Sequence, residues 1–401
     1  MNKVLMATFG SSGDINPFLA LGKSLKDRGA GVVCIINPAD EEKFAEVGLE
    51  TRHFGEAVEI PEILARRPQY VSLRGGELVL REIFIPRAGE LLEETEKLIE
   101  ELDPSVIVSH PLSFGSIWAA KRNSVSSVAV HFAPTSFFTR SNCSIYSVPK
   151  RILLRGLHTV MIRAANRWFR NVCRENNIRW HRDFFRDTLL KDDLVVALWD
   201  PVFRASQPDD PPNSVICGFP HPVISETLPP ELDEFLDGGD LPVVFSLGST
   251  AVHVSGKIYS RAVEVCRKLG RRGVLICGKN IPENLPETVL PVSYAPFHAV
   301  FPRCEAVVHH GGIGTCAESL RAGRPSVVIP FGHDQFDNAA RLVKLGAGRK
   351  VCRQFATVRA IAGSLNRLLD SDAVRKTETL REEIAARGDG AARVADEILR
   401  L

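Results

Sequence analysis

The sequence has no CxxC pair and no cysteine–histidine cluster at zinc-ligand spacing, although nine cysteines are spread through its 401 residues. That pattern excludes a zinc finger, a thioredoxin-type redox centre and a small fold held by disulfides. Cys34, Cys277 and Cys304 lie in or beside apolar runs, where a free thiol behaves as a small hydrophobe. A reducing, cytoplasmic setting is the expectation. Long apolar runs are missing too: nothing approaches the roughly 20 residues of a membrane span, and the opening MNKVLMATF is too short for a secretory h-region. An excess of one charge is likewise absent. Lys plus Arg number 50 and Asp plus Glu 48, a net charge of +2 that exerts no strong pull on nucleic acid, and no nucleic-acid partner is expected. Gly10-Ser11-Ser12-Gly13 lacks GxGxxG spacing, the second apolar run ends near Asn37 rather than in an acid, and no GxxxxGK phosphate loop occurs. These absences disfavour a nicotinamide enzyme and a P-loop NTPase.

What is present is an alternation of short apolar runs and helical patterns. Val4 to Phe9 is followed by a helical pattern in which Pro17 marks a start, Phe18, Leu21 and Leu25 share a face, and Gly29 is a stop. Val32 to Ile36, Val106 to Val108 and Val128 to Val130 supply further buried strands, with a long amphipathic helix expected from about Glu77 to Leu102. The second half repeats the scheme through Pro242 to Gly248, Val274 to Cys277, Ala306 to Val308 and Ser326 to Ile329. Continuous apolar strands separated by helices mean parallel sheets covered on both faces, an α/β chain. The length suggests two such domains. Pro-rich stretches around Pro208 to Pro212 and Leu228 to Pro230 place the boundary. The expected organisation is a first domain over 1–217, a linker over 218–240, a second domain over 241–385, and a terminal helix over 386–401 that returns to the first domain.

Sites in parallel sheets lie beyond the carboxyl ends of strands. At such a place stands HHGGIGT, residues 309–315. Gly311, Gly312 and Gly314 let backbone approach a ligand, and a helix starting near Ile313 would aim free N–H groups at an anion such as phosphate. A tight turn with a satisfied histidine is the plain alternative. Asp14, just ahead of the first helix, suits either a cap or a general base. Asp334-Gln335 has the acceptor and amide capacity to hold adjacent sugar hydroxyls, and Asp334 also suits a cap. Asp370-Ser371-Asp372 falls between helices rather than at a strand end, so no metal site is expected.

These residues, with FGSSGDINPF, RPSVVIP and HDQFDNAARLVKLGAG, carry a resemblance that covers nearly the whole chain. The sequence resembles nucleotide-sugar glycosyltransferases of the UDP-glycosyltransferase family, and within it the rhamnolipid rhamnosyltransferase, sterol, macrolide and glycopeptide branches. The resemblance implies the GT-B fold: two facing Rossmann-like domains with parallel sheets and a cleft, acceptor in the first, donor in the second. It implies that His310, Gly312, Gly314 and Thr315 bind the donor diphosphate, Glu318 the ribose, and Ser249 and Thr250 the phosphates. Tyr294 and Ala295 match the base-contacting positions, and Asp334 and Gln335 the pair that grips the sugar. Where many members have a histidine base in GHxxP, this chain has Gly13-Asp14-Ile15-Asn16-Pro17. Asp14 then becomes the base. Phe297 replaces a glutamine common after the nucleotide-contacting proline, leaving UDP and dTDP both open.

The implied activity is inverting transfer of a hexose from a UDP- or dTDP-sugar to a hydroxyl of a hydrophobic acceptor, without metal or other cofactor. Gly13, His110, Phe137 and Phe138 are expected at the acceptor, with Pro111, Leu112, Phe114, Trp118 and Phe132 divided between pocket and core; His110, at a strand end, suits a hydrogen bond to the acceptor, one to Asp14, or a structural role. The basic stretch 150–186, with Leu153, Leu154, Met161, Trp168 and Phe169 interleaved, reads as a solvated amphipathic face or as a peripheral contact with anionic membrane. A nucleotide-sugar epimerase and a non-catalytic nucleotide-sugar-binding partner subunit are the alternatives. The oligomeric state is not legible.

Overall fold

The computed structural model describes residues 3–72, 74–137, 139, 141–142, 148–181, 184–223 and 227–401. The chain divides into two compact units, one of Met1–Ile60, Gly75–Ile224 and Asp389–Leu401, the other of Pro61–Arg74 and Ser225–Gly388. The first holds a seven-stranded sheet in the order β3-β2-β1-β4-β5-β6-β7, and the second a six-stranded sheet in the order β10-β9-β8-β11-β12-β13. Every strand pair is parallel. The strands of the first are β1 (Lys3–Ala7), β2 (Gly31–Ile36), β3 (Glu50–His53), β4 (Val106–Ser109), β5 (Ser126–His131), β6 (Leu194–Ala197) and β7 (Ser214–Ile216). Those of the second are β8 (Val243–Ser246), β9 (Gly273–Ile276), β10 (Val289–Val292), β11 (Ala306–His309), β12 (Ser326–Val328) and β13 (Gly348–Lys350). Each is a Rossmann-like arrangement, and together they constitute the GT-B architecture.

Alternate residues of the central strands build the first core. Val4 and Met6 of β1, Val106 and Val108 of β4, and Val128 and Val130 of β5 are buried with Phe18, Leu21 and Leu25 of the helix Ser12–Asp27. Val394, Ala395 and Ile398 of the last helix, Gly390–Ile398, join the same cluster. Gly390 admits that helix, because a Cβ there would sit 2.2 Å from the Gly218 carbonyl oxygen.

Three expectations are corrected. The first helix begins at Ser12 rather than near Pro17, because Ser11 and Asp14 cap it; Pro17 lies inside it. The helix expected over 77–102 is broken into Gly75–Val79, a π-turn over Leu80–Phe84, a 3-10 turn over Ile85–Arg87 and the helix Ala88–Leu102. Pro86 has no N–H to continue a regular α-helix, which accounts for the break. The stretch 218–240 is not all linker: Leu232 and Leu236 of the helix Pro230–Asp237 are buried in the second unit's core with Val244, Val274 and Phe301.

Candidate active site

In each sheet the strand order reverses between two adjacent parallel strands, so the loops leaving them diverge and open a crevice at their carboxyl ends. In the first unit these strands are β1 and β4. Asp14 follows β1 and His110 follows β4. The Asp14 Oδ2 accepts from the Ser11 N–H at 2.8 Å and the Ser11 hydroxyl at 2.9 Å, while Oδ1 lies 3.3 Å from His110 Nε2. The Leu112 N–H donates to His110 Nδ1 at 3.2 Å, so the ring proton belongs on Nε2 and is aimed at Asp14. Phe132 (5.2 Å between centroids), Phe18 and Phe84 surround the imidazole. Gly10, at φ +145°, leaves room for the carboxylate, since a Cβ there would lie 2.4 Å from Asp14 Oδ2. Burial alone would raise the Asp14 pKa, but His110 and then Ser11 outweigh it and hold the carboxyl below its ordinary value. The His110 side chain is 5% exposed and that of Asp14 28%. Asp14 is thus the member of the pair that a ligand can reach.

In the second unit the reversal falls between β8 and β11. His310, just after β11, is buried between two glycine backbones: a Cβ at Gly248 would meet its Cε1 at 2.5 Å, and one at Gly312 its Nε2 at 2.5 Å. Its Nδ1 is buried without a hydrogen-bond partner. Burial, with a smaller contribution from His333, pushes its pKa down to about 4, so it is a neutral imidazole at physiological pH. Gly312 is the N-cap of the helix Ile313–Arg321. The Cys316 N–H bonds to the Gly312 carbonyl, and the N–H groups ahead of it lack intrahelical acceptors. Nothing lies within 4 Å of a Cβ built on Gly314. A neutral donor, open N–H groups and a positive dipole end together make an anion-accepting surface. His309, fully buried, accepts from the Gly311 N–H at 3.1 Å and shapes the turn.

The neighbouring loop is fastened to that turn. Asn338 donates to the Gly311 carbonyl at 2.9 Å and to Asp334 Oδ2 at 2.6 Å. Gln335 Oε1 accepts from the N–H groups of Phe331 and Gly332, at 2.8 and 3.1 Å. Gln335 is buried, and its amide nitrogen is the end left to donate to a ligand. His333 adopts φ +52°, with Nε2 2.9 Å from the Tyr70 carbonyl, a contact made inside the second unit by a segment from early in the chain.

Residues 278–401 match the model of the erythromycin biosynthesis protein CIII-like C-terminal domain. The chain is 29% identical over 414 residues to O-mycaminosyltylonolide 6-deoxyallosyltransferase of Streptomyces fradiae, covering 96% of this chain and 94% of that one. It is 25% identical to sterol 3-beta-glucosyltransferase UGT80A2 of Arabidopsis thaliana, covering 94% of this chain and 62% of the longer plant protein. Among solved structures, the glycosyltransferase of kitacinnamycin superposes with TM-score 0.76 at 22% identity, covering 100% of this chain and 98% of that one. Spinosyn rhamnosyltransferase SpnG complexed with thymidine diphosphate superposes with TM-score 0.69 at 19% identity, with 100% of each chain covered. The chain is similar along nearly its whole length to these glycosyltransferases, and the EryCIII-like domain match is confined to its C-terminal part.

The remaining expected site residues are dispersed. Tyr294 is 61% exposed, whereas Ala295 is buried and can offer only backbone. Ser249 is exposed and Thr250 half-buried on the short turn Gly248–Ala251. Thr315 is buried on the first turn of its helix, and the Glu318 carboxylate is already engaged by Arg321. Phe297 stacks on Phe301 at 4.6 Å, a packing role that suits the position without a glutamine. Gly13 is exposed beside Asp14. Phe137 is corrected: it is fully buried against His131 and Trp199, 5.3 and 4.8 Å between centroids, and offers an acceptor no surface. Phe114 and Trp118 pack with Phe169 in the interior as well. Leu112 and Phe132 are half-buried and stay available, and Phe138 lies outside the described residues. Asp372 pairs with Arg375 at 3.2 Å, and among the described residues no three His, Cys, Asp or Glu side chains converge to hold a metal. Among them, too, no helix is long and apolar enough to cross a membrane.

The sequence reading missed Ser11, Gly10, Gly248 and Asn338. Gly10 and Gly248 carry a usable signal, a glycine immediately beyond a buried strand. Asn338 stands one helical turn after Asp334, a spacing that puts two side chains on one face.

Proposed function

We propose that the protein is an inverting glycosyltransferase in which Asp14 is the general base. The observation that carries this reading is the Asp14 carboxylate itself: held ionised, fixed through three hydrogen-bond donors, and still 28% exposed where the strand order reverses. A carboxylate so placed can accept the proton of an acceptor hydroxyl as that oxygen attacks the anomeric carbon. The bond from C1 to the diphosphate oxygen breaks on the opposite face, and the diphosphate leaves with the electron pair. The configuration at C1 is thereby inverted. In the second unit, the open N–H groups at Ile313–Thr315 and the imidazole of His310 take the developing negative charge. Such donors, already in position, stabilise a leaving group electrostatically, and in this reading they act without a metal. Asp334 and Gln335 orient the sugar, Tyr294 stacks on the base, and Ser249 and Thr250 reach the phosphates.

The donor is a UDP- or dTDP-hexose; the SpnG complex with thymidine diphosphate supports the latter nucleotide. The macrolide and sterol transferases among the relatives favour a hydrophobic acceptor alcohol. Leu112 and Phe132, half-buried near His110, supply apolar surface for it. Incubation with UDP-glucose or dTDP-rhamnose, with and without a hydroxylated lipid or macrolide aglycone, tests the reading. Nucleotide release must depend on acceptor, and NMR coupling at the anomeric proton must report inversion. Epimerised sugar without acceptor, binding without release, or a retained anomer each overturns it.

A further inference from the structure

In the later part of the helix Val148–Glu175, in the first unit, the described side chains divide into two sharply different faces. At about 100° per residue, Val160, Arg163, Arg167, Arg170 and Arg174 fall within an arc of about 80°. All five are exposed, Val160 at 61%. Ala165, Phe169 and Cys173 lie on the opposite side and are buried, with Phe169 edge-on to Phe114 at 4.6 Å. The helix is therefore anchored by one face, and its arginines line the other.

Like charges three and four residues apart on a helix repel one another. Counter-charges normally relieve that repulsion, but among the described residues none of the four arginines meets a carboxylate. Arg170 lies over the Trp180 ring at 4.6 Å, and Arg174 donates to Asn171 Oδ1 at 3.4 Å. Trp180 is itself fixed, its Nε1 donating to the Asn166 carbonyl at 2.8 Å. Among the described residues, Arg163 and Arg167 have no hydrogen bond or ion pair. The four guanidinium groups span roughly 16 Å at 1.5 Å per residue, in a protein whose net charge is only +2.

We propose that this stripe docks the first unit on an anionic lipid bilayer. Guanidinium groups pair with phosphate in forked geometry, and an exposed apolar side chain in line with them can enter the headgroup region. Val160 is that side chain. A nucleic-acid strand is a poorer match, because Arg170 covers the Trp180 ring on which a base would stack. Docking here brings the unit that carries Asp14 to the phase in which a lipid-soluble acceptor dissolves. The inference does not rest on the transfer chemistry, since vesicle binding is read without substrate.

The test is co-sedimentation of the full chain with phosphatidylcholine vesicles and with phosphatidylcholine vesicles containing phosphatidylglycerol. Binding to the anionic vesicles alone is expected, and it should disappear near 1 M salt, where the screening length is about 3 Å. Replacing Arg163, Arg167, Arg170 and Arg174 together with glutamine should cost about fivefold in partitioning per arginine, roughly several hundredfold in all. The corresponding lysine variant keeps the charge and should retain most of the binding. Both variants should melt like the wild type. Equal binding by the glutamine variant, no binding to either vesicle, or tighter binding to a duplex or single-stranded oligonucleotide than to anionic vesicles overturns the proposal.

Discussion

Replacing Gly314 with alanine separates a glycine kept for a ligand from one kept for the fold. The residue is the second of the helix Ile313–Arg321 and has no left-handed φ, and no protein atom lies within 4 Å of the added Cβ. Alanine there restricts the unfolded chain and suits the helix, which should stabilise the protein by about 0.5–1 kcal/mol. In a unit of this size that amounts to a Tm rise of about 2–3 °C. The same methyl occupies the space over the open N–H groups, where a phosphate oxygen must come within ~3 Å of the donors. Donor affinity should therefore fall at least about tenfold, or about 1.4 kcal/mol. Gly312→Ala is the contrasting variant: its Cβ would meet His310 Nε2 at 2.5 Å, so it displaces the imidazole. It should weaken the donor without the same gain in Tm. Thermal melts without ligand, paired with calorimetric titration of dTDP and UDP, read both quantities. A Gly314→Ala protein that melts higher and binds both nucleotides like the wild type would remove the glycine turn from the donor site.

His110→Phe removes the Nε2 donor from Asp14 and leaves the burial that raises its pKa, so the acidic limb of kcat/KM should move to higher pH; His110→Gln, which keeps a donor, should restore part of the shift. An unmoved limb in His110→Phe refutes the positioning role. Buried neutral histidines should also make the protein acid-labile: burial holds His131 and His310 near about 4 and His309 near about 3. An unfolded imidazole titrates near 6.5, so between about pH 6.5 and 4 the unfolded chain binds the extra protons. Stability is then fully present above that window and lost as pH falls through it, and a Tm unchanged between pH 7 and 5 contradicts the argument.

The fold was legible because parallel strands buried on both faces leave uninterrupted apolar runs such as Val106-Ile107-Val108 and Ala306-Val307-Val308, closed by a proline in the first case and by glycines in the second. Helix boundaries were less so. Pro86 breaks a pattern that otherwise runs from 77 to 102, and the capping by Ser11 and Asp14 outweighs Pro17 as a start signal. The glycine turn at Gly312 and Gly314 could be read from the chain, because only glycine leaves that space. Those that act through long-range contacts could not. Nothing near His110 says that Leu112 fixes its tautomer, and its partner Asp14, 96 positions earlier, could be read only as one choice beside an acceptor or a structural role. Phe137 shows the reverse error: an aromatic at a strand's carboxyl end looks like pocket lining, yet the 3-10 turn Pro134–Phe137 folds it inward onto His131 and Trp199. The segment Pro61–Arg74 is likewise opaque, since its contact with His333 crosses more than half the chain.

The measurement that bears most directly on the account compares turnover and donor binding in Asp14→Asn. Asparagine preserves the size of the side chain and an oxygen for Ser11, but it cannot take the proton from an acceptor hydroxyl. Loss of general-base catalysis is expected to lower kcat by about 10²–10⁴, while the calorimetric Kd for the donor nucleotide stays within about twofold. Turnover at the wild-type rate in Asp14→Asn would contradict the central claim.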